Sequence, residues 1–93
     1  MTVEHVAGKN AGQIMLYALS TCGWCRKTRE LLQELGVEYS YEYVDLLQGT
    51  QQDDAMKSIE TWNPSTSFPT LVVNNQKCIV GFKPDEIKKA LKL

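Results

Sequence analysis

The fold is decided by one stretch, Ser20-Thr21-Cys22-Gly23-Trp24-Cys25-Arg26, in which two cysteines stand three residues apart. Residues 13–19, just before it, are nearly all apolar and long enough for one buried strand. Just after it, Gly36 is placed to end a helix. The helical spacing that predicts this helix is set by Thr28, Leu31, Leu32 and Leu35. The Cys-x-x-Cys motif is therefore predicted at the junction between a strand and a helix.

This placement predicts the chemistry of the two thiols. Cysteines three apart at the start of a helix lie on nearly the same face, close enough to form a disulfide. We expect Cys22 to cap the helix, where unpaired backbone N–H groups and the macrodipole favour negative charge. Its thiolate is then stabilised, and its pKa is expected below that of a free cysteine. Cys25 lies further into the helix and is expected to be less exposed, with a higher pKa.

The bulk composition restricts the class of protein. The 93 residues, 43% of them hydrophobic, are enough for one small domain with a single core. The 10 basic and 11 acidic side chains are interspersed, so neither a nucleic acid nor a membrane surface is expected as a partner. We find no apolar stretch of signal-peptide or membrane-spanning length, which favours a cytoplasmic location. In a reducing compartment, a Cys-x-x-Cys pair indicates catalysis or metal binding.

The rest of the chain predicts an α/β fold. Residues 1–12 are polar and are interpreted as a flexible N-terminal arm, which leaves 13–93 as the domain. Tyr39–Asp45 alternates, with tyrosines at 39, 41 and 43 on one face, which predicts a half-buried strand nearer the edge of the sheet. The order is β-α-β-α-β-β-α, with parallel first strands, a later hairpin, and helices on both faces of a mixed four-stranded sheet. The remaining predicted elements are a helix over 55–62, strands over 70–73 and 77–80, and a helix over 84–92.

The order of elements and two motifs resemble a known family. Cys22-Gly23-Trp24-Cys25 follows the first strand, and Phe68-Pro69-Thr70 precedes the third. This combination resembles the thioredoxin fold, and within it the short chain, over about residues 13–92, resembles a glutaredoxin. The resemblance implies a thiol–disulfide oxidoreductase. It also implies a cis peptide bond at Pro69 and a Phe68 backbone that pairs with bound substrate like an added strand.

The resemblance suggests a role for each candidate residue. Cys22 is expected to attack a substrate disulfide and form a mixed disulfide, which Cys25 then resolves. Substrate contacts are expected from an exposed Trp24, from the Phe68–Pro69 pair, and from Gly81 with Phe82 beside it. Thr21 and Tyr17 are expected to support the site by packing. Arg26 either adds positive charge near the site or is fully solvated, and the sequence leaves both open.

Two departures from the family bear on the electron donor. Leu19 stands where glutathione-using glutaredoxins commonly have a lysine or arginine, and Val80-Gly81-Phe82-Lys83 replaces their Gly-Gly-x-Asp. These changes weaken charge-assisted contacts to an anionic tripeptide. Gly81-Phe82-Lys83-Pro84-Asp85 instead resembles NrdH-type redoxins, which accept electrons from thioredoxin reductase and serve ribonucleotide reductase.

The predicted function follows the second resemblance. We expect a monomer without a tightly bound cofactor, which a thioredoxin-reductase-type donor reduces. Its substrates are expected to be protein disulfides, with ribonucleotide reductase as one candidate. The alternatives are a glutathione-linked glutaredoxin and a carrier of a [2Fe–2S] cluster. A redox-inert binding module is disfavoured because both motif cysteines are present.

The third cysteine and the single histidine leave smaller questions open. A zinc site from Cys22, Cys25, Cys78 and His5 lacks the second Cys-x-x-Cys pair of common four-ligand sites, so no metal site is predicted. His5 is expected to be solvated in the arm. Cys78 is interpreted as a buried small hydrophobe, with an exposed reactive thiol as the alternative.

Overall fold

The computed structural model describes residues 3–92. The first two residues of the predicted arm and the last residue of the predicted domain lie outside the described residues. A short 3₁₀ turn, Val44–Leu46, follows the third strand. The strands and helices are β1 (Glu4–Val6), β2 (Ile14–Ala18), α1 (Gly23–Glu34), β3 (Tyr39–Tyr43), α2 (Thr50–Trp62), β4 (Thr70–Val73), β5 (Lys77–Val80) and α3 (Pro84–Ala90).

The strands form one mixed sheet in the order β1-β3-β2-β4-β5. β2 and β3 are parallel, with Ala18 opposite Tyr43, which confirms the predicted β-α-β unit. β4 and β5 are antiparallel, as predicted for the hairpin, and the turn between them places Asn74 and Asn75 at positive φ. The buried strands β2 and β4 lie inside the sheet, as expected.

The predicted strand count and the edge position of the tyrosine strand were wrong. A fifth strand, β1, lies in the segment interpreted as an arm and pairs antiparallel with β3. The tyrosine strand is therefore second in the sheet and not at its edge. β1 is only three residues long, which is too short for an alternating pattern to predict a strand. Its pairing with a distant strand also leaves no signal in the neighbouring sequence.

Close contacts hold β1 against β3. His5 Nε2 lies 2.9 Å from Glu38 Oε1, and His5 Nδ1 lies 3.1 Å from Ser40 Oγ. After β1 the chain passes so near to the 36–38 backbone that a Cβ on Gly8 would come within 2.7 Å of Val37 C. Glycine at position 8 is what permits this approach.

Two apolar clusters lie on opposite faces of the sheet. The larger contains residues of β2, β4 and β5 together with buried side chains of α1 and α3. The smaller lies under α2 and is formed by Val44, Leu47, Ala55 and Ile59. Helices therefore cover both faces, as predicted, because successive residues of each strand point to opposite sides.

The helices lie where they were predicted, except that α2 begins at Thr50 and not at 55, since the polar residues 51–54 give its first turn no apolar spacing, and α3 ends at Ala90 and not at 92. α1 begins directly after Cys22 and is followed by Gly36 at φ +70°, the left-handed position that favours glycine. α2 ends at Trp62, just before Asn63 and Pro64, and Pro84 is the first residue of α3. Among the described helices, none has the length and apolar character needed to cross a bilayer.

Candidate active site

Cys22 is the N-cap of α1. Its backbone is extended, with φ −92° and ψ 119°, and its Sγ accepts a hydrogen bond of 3.3 Å from the Cys25 N–H. The sulfur thus occupies the place that a serine or aspartate oxygen takes at other helix starts. Negative charge on this atom is favoured by the amide and by the helix dipole. Cys22 is partly exposed, so a substrate can reach it.

Cys25 lies behind Cys22 and is shielded from solvent. Its residue is 1% exposed and belongs to the larger apolar cluster. Burial, and then its hydrogen bond with Cys22, raise the pKa of the Cys25 thiol from 9.0 to about 12. All three cysteines of the chain are free thiols. The pair therefore consists of an accessible sulfur that caps a helix and a buried sulfur that stays protonated at neutral pH.

An apolar cavity of about 220 Å³ opens beside the pair. Its wall combines the start of α1, the loop before β4, and the loop after β5. Tertiary structure thus brings together the five residues that the sequence offered as substrate contacts, from three separate parts of the chain. The lining residues are Trp24, Phe68, Pro69, Gly81 and Phe82.

Trp24 forms the outer wall of this cavity. It is 58% exposed, and its ring stacks on Phe82 with 5.9 Å between centroids. Lys27 Nζ lies 5.0 Å from the centroid of the Trp24 ring, at cation–π distance. The exposed ring of Trp24 adds apolar surface next to the motif cysteines.

Asn63, which sequence reasoning interpreted only as a helix stop, organises the loop before β4. It is 5% exposed, and its Nδ2 donates to Ser67 O, Ser67 Oγ and Thr70 Oγ1 at 3.1–3.2 Å. Its Oδ1 accepts from Ser65 N–H at 3.2 Å and Ser65 Oγ at 2.6 Å. The loop so held carries Pro69, whose peptide bond is cis as the resemblance implied.

The three supporting residues occupy different surroundings. Thr21 is exposed in the turn before α1. Tyr17 points to the opposite face of the sheet, where it packs on the α2 cluster, and burial followed by the charge of Glu42 raises its pKa. The Arg26 side chain is 83% exposed and pairs with Glu30 at 3.5 Å, so it is solvated and not directed into the cavity.

Asp45 is a second residue near the motif that sequence reasoning missed. Its carboxylate accepts hydrogen bonds from the Ser20 N–H at 2.9 Å and the Ser20 hydroxyl at 2.5 Å. These bonds lower the pKa of Asp45 below its ordinary value, so it is ionised at neutral pH. The contact could not be predicted without the register of the sheet, in which Ser20 and Asp45 each lie two residues beyond the paired Ala18 and Tyr43.

The remaining cysteine and the other cavities lie elsewhere. Cys78 is half-buried on β5 opposite Val72, and burial raises its pKa. Across residues 3–92 we find no cluster of three or more His, Cys, Asp or Glu side chains placed to hold a metal ion. Two larger cavities, of about 300 and about 320 Å³, lie between the sheet and α2, and neither lining includes a cysteine or histidine.

Comparison with known proteins supports the fold. The family model described as Glutaredoxin matches residues 14–79, a segment that includes both motif cysteines and Pro69. A glutaredoxin from Methanosarcina mazei Go1 is 45% identical with a TM-score of 0.93, over 100% of this chain and 90% of that one. Methanoredoxin from Methanosarcina acetivorans is 48% identical with a TM-score of 0.90, over 92% of this chain and 90% of that one. These likenesses confirm the predicted thioredoxin-like fold.

A third solved structure shares the fold. NrdH-redoxin from Escherichia coli, described as glutaredoxin-like, is 19% identical with a TM-score of 0.64. The match covers 83% of this chain and 92% of that chain. At this identity the likeness is one of fold. The Gly81–Asp85 stretch lies beyond the segment that the family model matches.

Proposed function

The chain belongs to the glutaredoxin family, and from this we propose that it is a dithiol thiol–disulfide oxidoreductase that reduces protein disulfides through Cys22 and Cys25. The observation that carries the proposal is the hydrogen bond of 3.3 Å from Cys25 N–H to Cys22 Sγ. It places the accessible sulfur at the positive end of a helix and the buried sulfur one turn along.

The first step is attack by the Cys22 thiolate on a substrate disulfide. A bond forms between Cys22 Sγ and one substrate sulfur, and the other substrate sulfur leaves as a thiolate that takes a proton from water. The product is a mixed disulfide. Because Cys22 is the partly exposed member of the pair, substrate meets it before Cys25.

The second step is resolution by Cys25. Cys25 gives up its proton and attacks Cys22 Sγ, which releases the second substrate sulfur as a thiol and leaves a Cys22–Cys25 disulfide. The substrate gains two electrons and the protein loses two. The hydrogen bond and charge of Cys22 contribute to the raised pKa of Cys25. Once Cys22 is in a mixed disulfide it carries no negative charge, so the resolving thiol loses its proton more readily.

The apolar cavity supports a polypeptide substrate. Trp24 and Phe82 offer aromatic surface beside the reacting sulfur. The backbone at Phe68, in the loop before β4, is expected to pair with the substrate like an added strand, as the resemblance implies. We expect the side chain next to the substrate cysteine to enter the cavity.

The electron donor that we propose is of the thioredoxin-reductase type. Two features of the sequence support it, Leu19 in place of a basic residue and the stretch Gly81–Asp85. The substrates that we propose are disulfide-containing proteins, ribonucleotide reductase among them. The protein is proposed to act as a monomer in the cytoplasm, without a tightly bound cofactor. A glutathione-linked cycle is the alternative.

One assay tests donor and activity together. The purified protein is oxidised, and its reduction is followed with NADPH and thioredoxin reductase, or with NADPH, glutathione reductase and glutathione. We expect faster reduction by thioredoxin reductase. Faster reduction by glutathione would favour the glutathione-linked cycle, and reduction by neither would count against the proposed activity.

Single substitutions test the roles of the cysteines. Cys22→Ser is expected to abolish disulfide reduction, and Cys25→Ser to accumulate a mixed disulfide that mass spectrometry detects. Cys78→Ser is the matched control, since it removes a thiol outside the site, and its turnover should equal that of the native protein. Full turnover by Cys22→Ser would show that the nucleophile is wrongly assigned.

A further inference from the structure

The loop that carries Cys22 has little packing of its own. Ala18 before it and Cys25 after it are buried, but between them Ser20, Thr21 and Gly23 are exposed. A Cβ added at Gly23 would meet no atom within 4 Å. Cys22 itself is partly buried against the larger apolar cluster, so the exposed residues beside it are the part of the loop that polar contacts must hold.

Ser20 supplies polar contacts to a distant part of the chain. Both its N–H and its hydroxyl donate to the two carboxylate oxygens of Asp45, at 2.9 and 2.5 Å. The same loop is closed by a bond of 3.2 Å from the Cys22 N–H to Leu19 O. The Asp45 clasp, as we call the Ser20–Asp45 pair, thus holds the residue at the centre of this turn.

The parallel register of the sheet explains why the two residues meet. Ala18 is opposite Tyr43, 25 positions later, and the same offset of 25 separates Ser20 from Asp45. The Asp45 clasp therefore lies where the β2–β3 pairing would continue beyond the ends of both strands. There the Ser20 N–H donates to the Asp45 carboxylate and not to a backbone carbonyl of the neighbouring chain segment. We expect a variant that lacks the carboxylate to keep the backbone hydrogen bonds between β2 and β3 but to lose the contact that holds the Ser20–Cys22 turn.

From this geometry we propose that Asp45 is a positioning residue, whose carboxylate fixes the Ser20–Cys22 turn and thereby the sulfur of Cys22 for attack. The inference rests on the proposed function, because it takes Cys22 as the nucleophile. A charged acceptor makes stronger hydrogen bonds than a neutral one, which suits a clasp at an exposed position. Misplacing a reacting group by a fraction of an ångström to an ångström slows its reaction markedly.

Two substitutions separate positioning from charge. Asp45→Asn keeps an oxygen for the Ser20 N–H, and its amide can donate to the Ser20 hydroxyl oxygen, so the clasp survives without the charge. Asp45→Ala removes clasp and charge together. Glu60→Ala, on the exposed side of α2, is the matched control for loss of a surface carboxylate.

The measurement is the rate constant for alkylation of Cys22 by iodoacetamide at neutral pH, followed by mass spectrometry, together with single-turnover reduction of a peptide disulfide. We expect Asp45→Ala to lower both rates about tenfold, and Asp45→Asn to stay within about threefold of the native rate. Thermal unfolding of each variant shows whether the fold is retained. If Asp45→Ala does not fold, Ser20→Ala is used in its place, because it removes only the hydroxyl hydrogen bond and keeps the one from the Ser20 N–H.

The outcomes are distinguishable. Native rates in Asp45→Ala would overturn the inference, and so would equal losses in Asp45→Asn and Asp45→Ala, which would assign the effect to charge. If Asp45→Ala does not fold, unchanged rates in Ser20→Ala would overturn it. If the native protein itself fails to reduce the peptide, the proposed function fails, independently of the clasp.

Discussion

Cys25 donates its backbone N–H to Cys22 Sγ over 3.3 Å while its own thiol lies behind, in a residue only 1% exposed. Cys25 therefore supplies both the amide that bonds the capping sulfur and the thiol that we propose as the resolving one. The difference in burial supports the proposed order of events, because Cys22 is the more accessible of the two thiols.

The raised pKa of Cys25 predicts the order of alkylation. At neutral pH iodoacetamide should label Cys22 and leave Cys25 unlabelled, and labelling of Cys25 should increase only as the pH approaches about 12. Peptide mapping by mass spectrometry over a pH series measures both. Labelling of Cys25 in the folded protein as fast as Cys22 at neutral pH would contradict this assignment.

The same shift predicts how the stability of the reduced protein depends on pH. The folded pKa, about 12, exceeds the ordinary 9.0, so in this window the unfolded chain binds fewer protons than the folded one. The free energy of unfolding therefore falls as pH rises from about 9 to about 12. Urea titrations at several pH values measure how steeply the free energy of unfolding falls with pH in the native protein and in Cys25→Ser. We expect the fall to be less steep in the variant. Identical slopes would show that Cys25 does not contribute.

Gly8→Ala should loosen β1. The added Cβ would approach backbone atoms of residues 36–38 to 2.7–2.8 Å, and backbone cannot yield as a flexible side chain can. We expect a loss of about 2 kcal/mol in the free energy of unfolding, with faster amide hydrogen exchange at Glu4–Val6. Gly23→Ala is the control, since its Cβ meets nothing within 4 Å and its stability should stay near native. Equal stability of the two variants would contradict the close approach.

Asn63→Ala should destabilise the loop before β4. Its amide bonds Ser65, Ser67 and Thr70 in a buried position, and their polar atoms would lose partners. We expect a loss of about 2 kcal/mol in the free energy of unfolding and weaker binding of a peptide disulfide. Thr61→Ala, which removes an exposed bond to Lys57 O, should change stability little. An unchanged melting curve for Asn63→Ala would show that water replaces these bonds without cost.

Trp24→Ala should impair recognition of a polypeptide more than chemistry at the thiol. The substitution removes the exposed wall of the cavity and the stack on Phe82. We expect KM for a peptide disulfide with an apolar residue beside its cysteine to rise about tenfold, with kcat nearly unchanged. Trp24→Phe keeps an aromatic ring and should retain most of the affinity. An equal rise in KM for a small disulfide that cannot fill the cavity would argue against a role of Trp24 in recognising the polypeptide.

The sequence predicted the parts of the fold that have local signals. The alternation of Tyr39–Tyr43, the turn residues Asn74 and Asn75, and the helix stop at Gly36 each act within a few residues, so the β-α-β unit and the hairpin were predicted correctly. β1 was missed because three residues carry no measurable period. Its position depends on Gly8 and on pairing with β3, more than 30 residues away.

The features of the site also divide into those with a local signal in the sequence and those that depend on distant contacts. The cysteine pair and its helix cap were predictable without the structure, because the hydrogen bond from Cys25 N–H to Cys22 Sγ spans one turn and follows from their spacing. Only the tertiary structure decided that Asp45 holds Ser20, that Asn63 holds the loop of Pro69, and that Arg26 lies in solvent. These contacts depend on which strands are neighbours and in what register, and that is fixed by packing across the whole sheet.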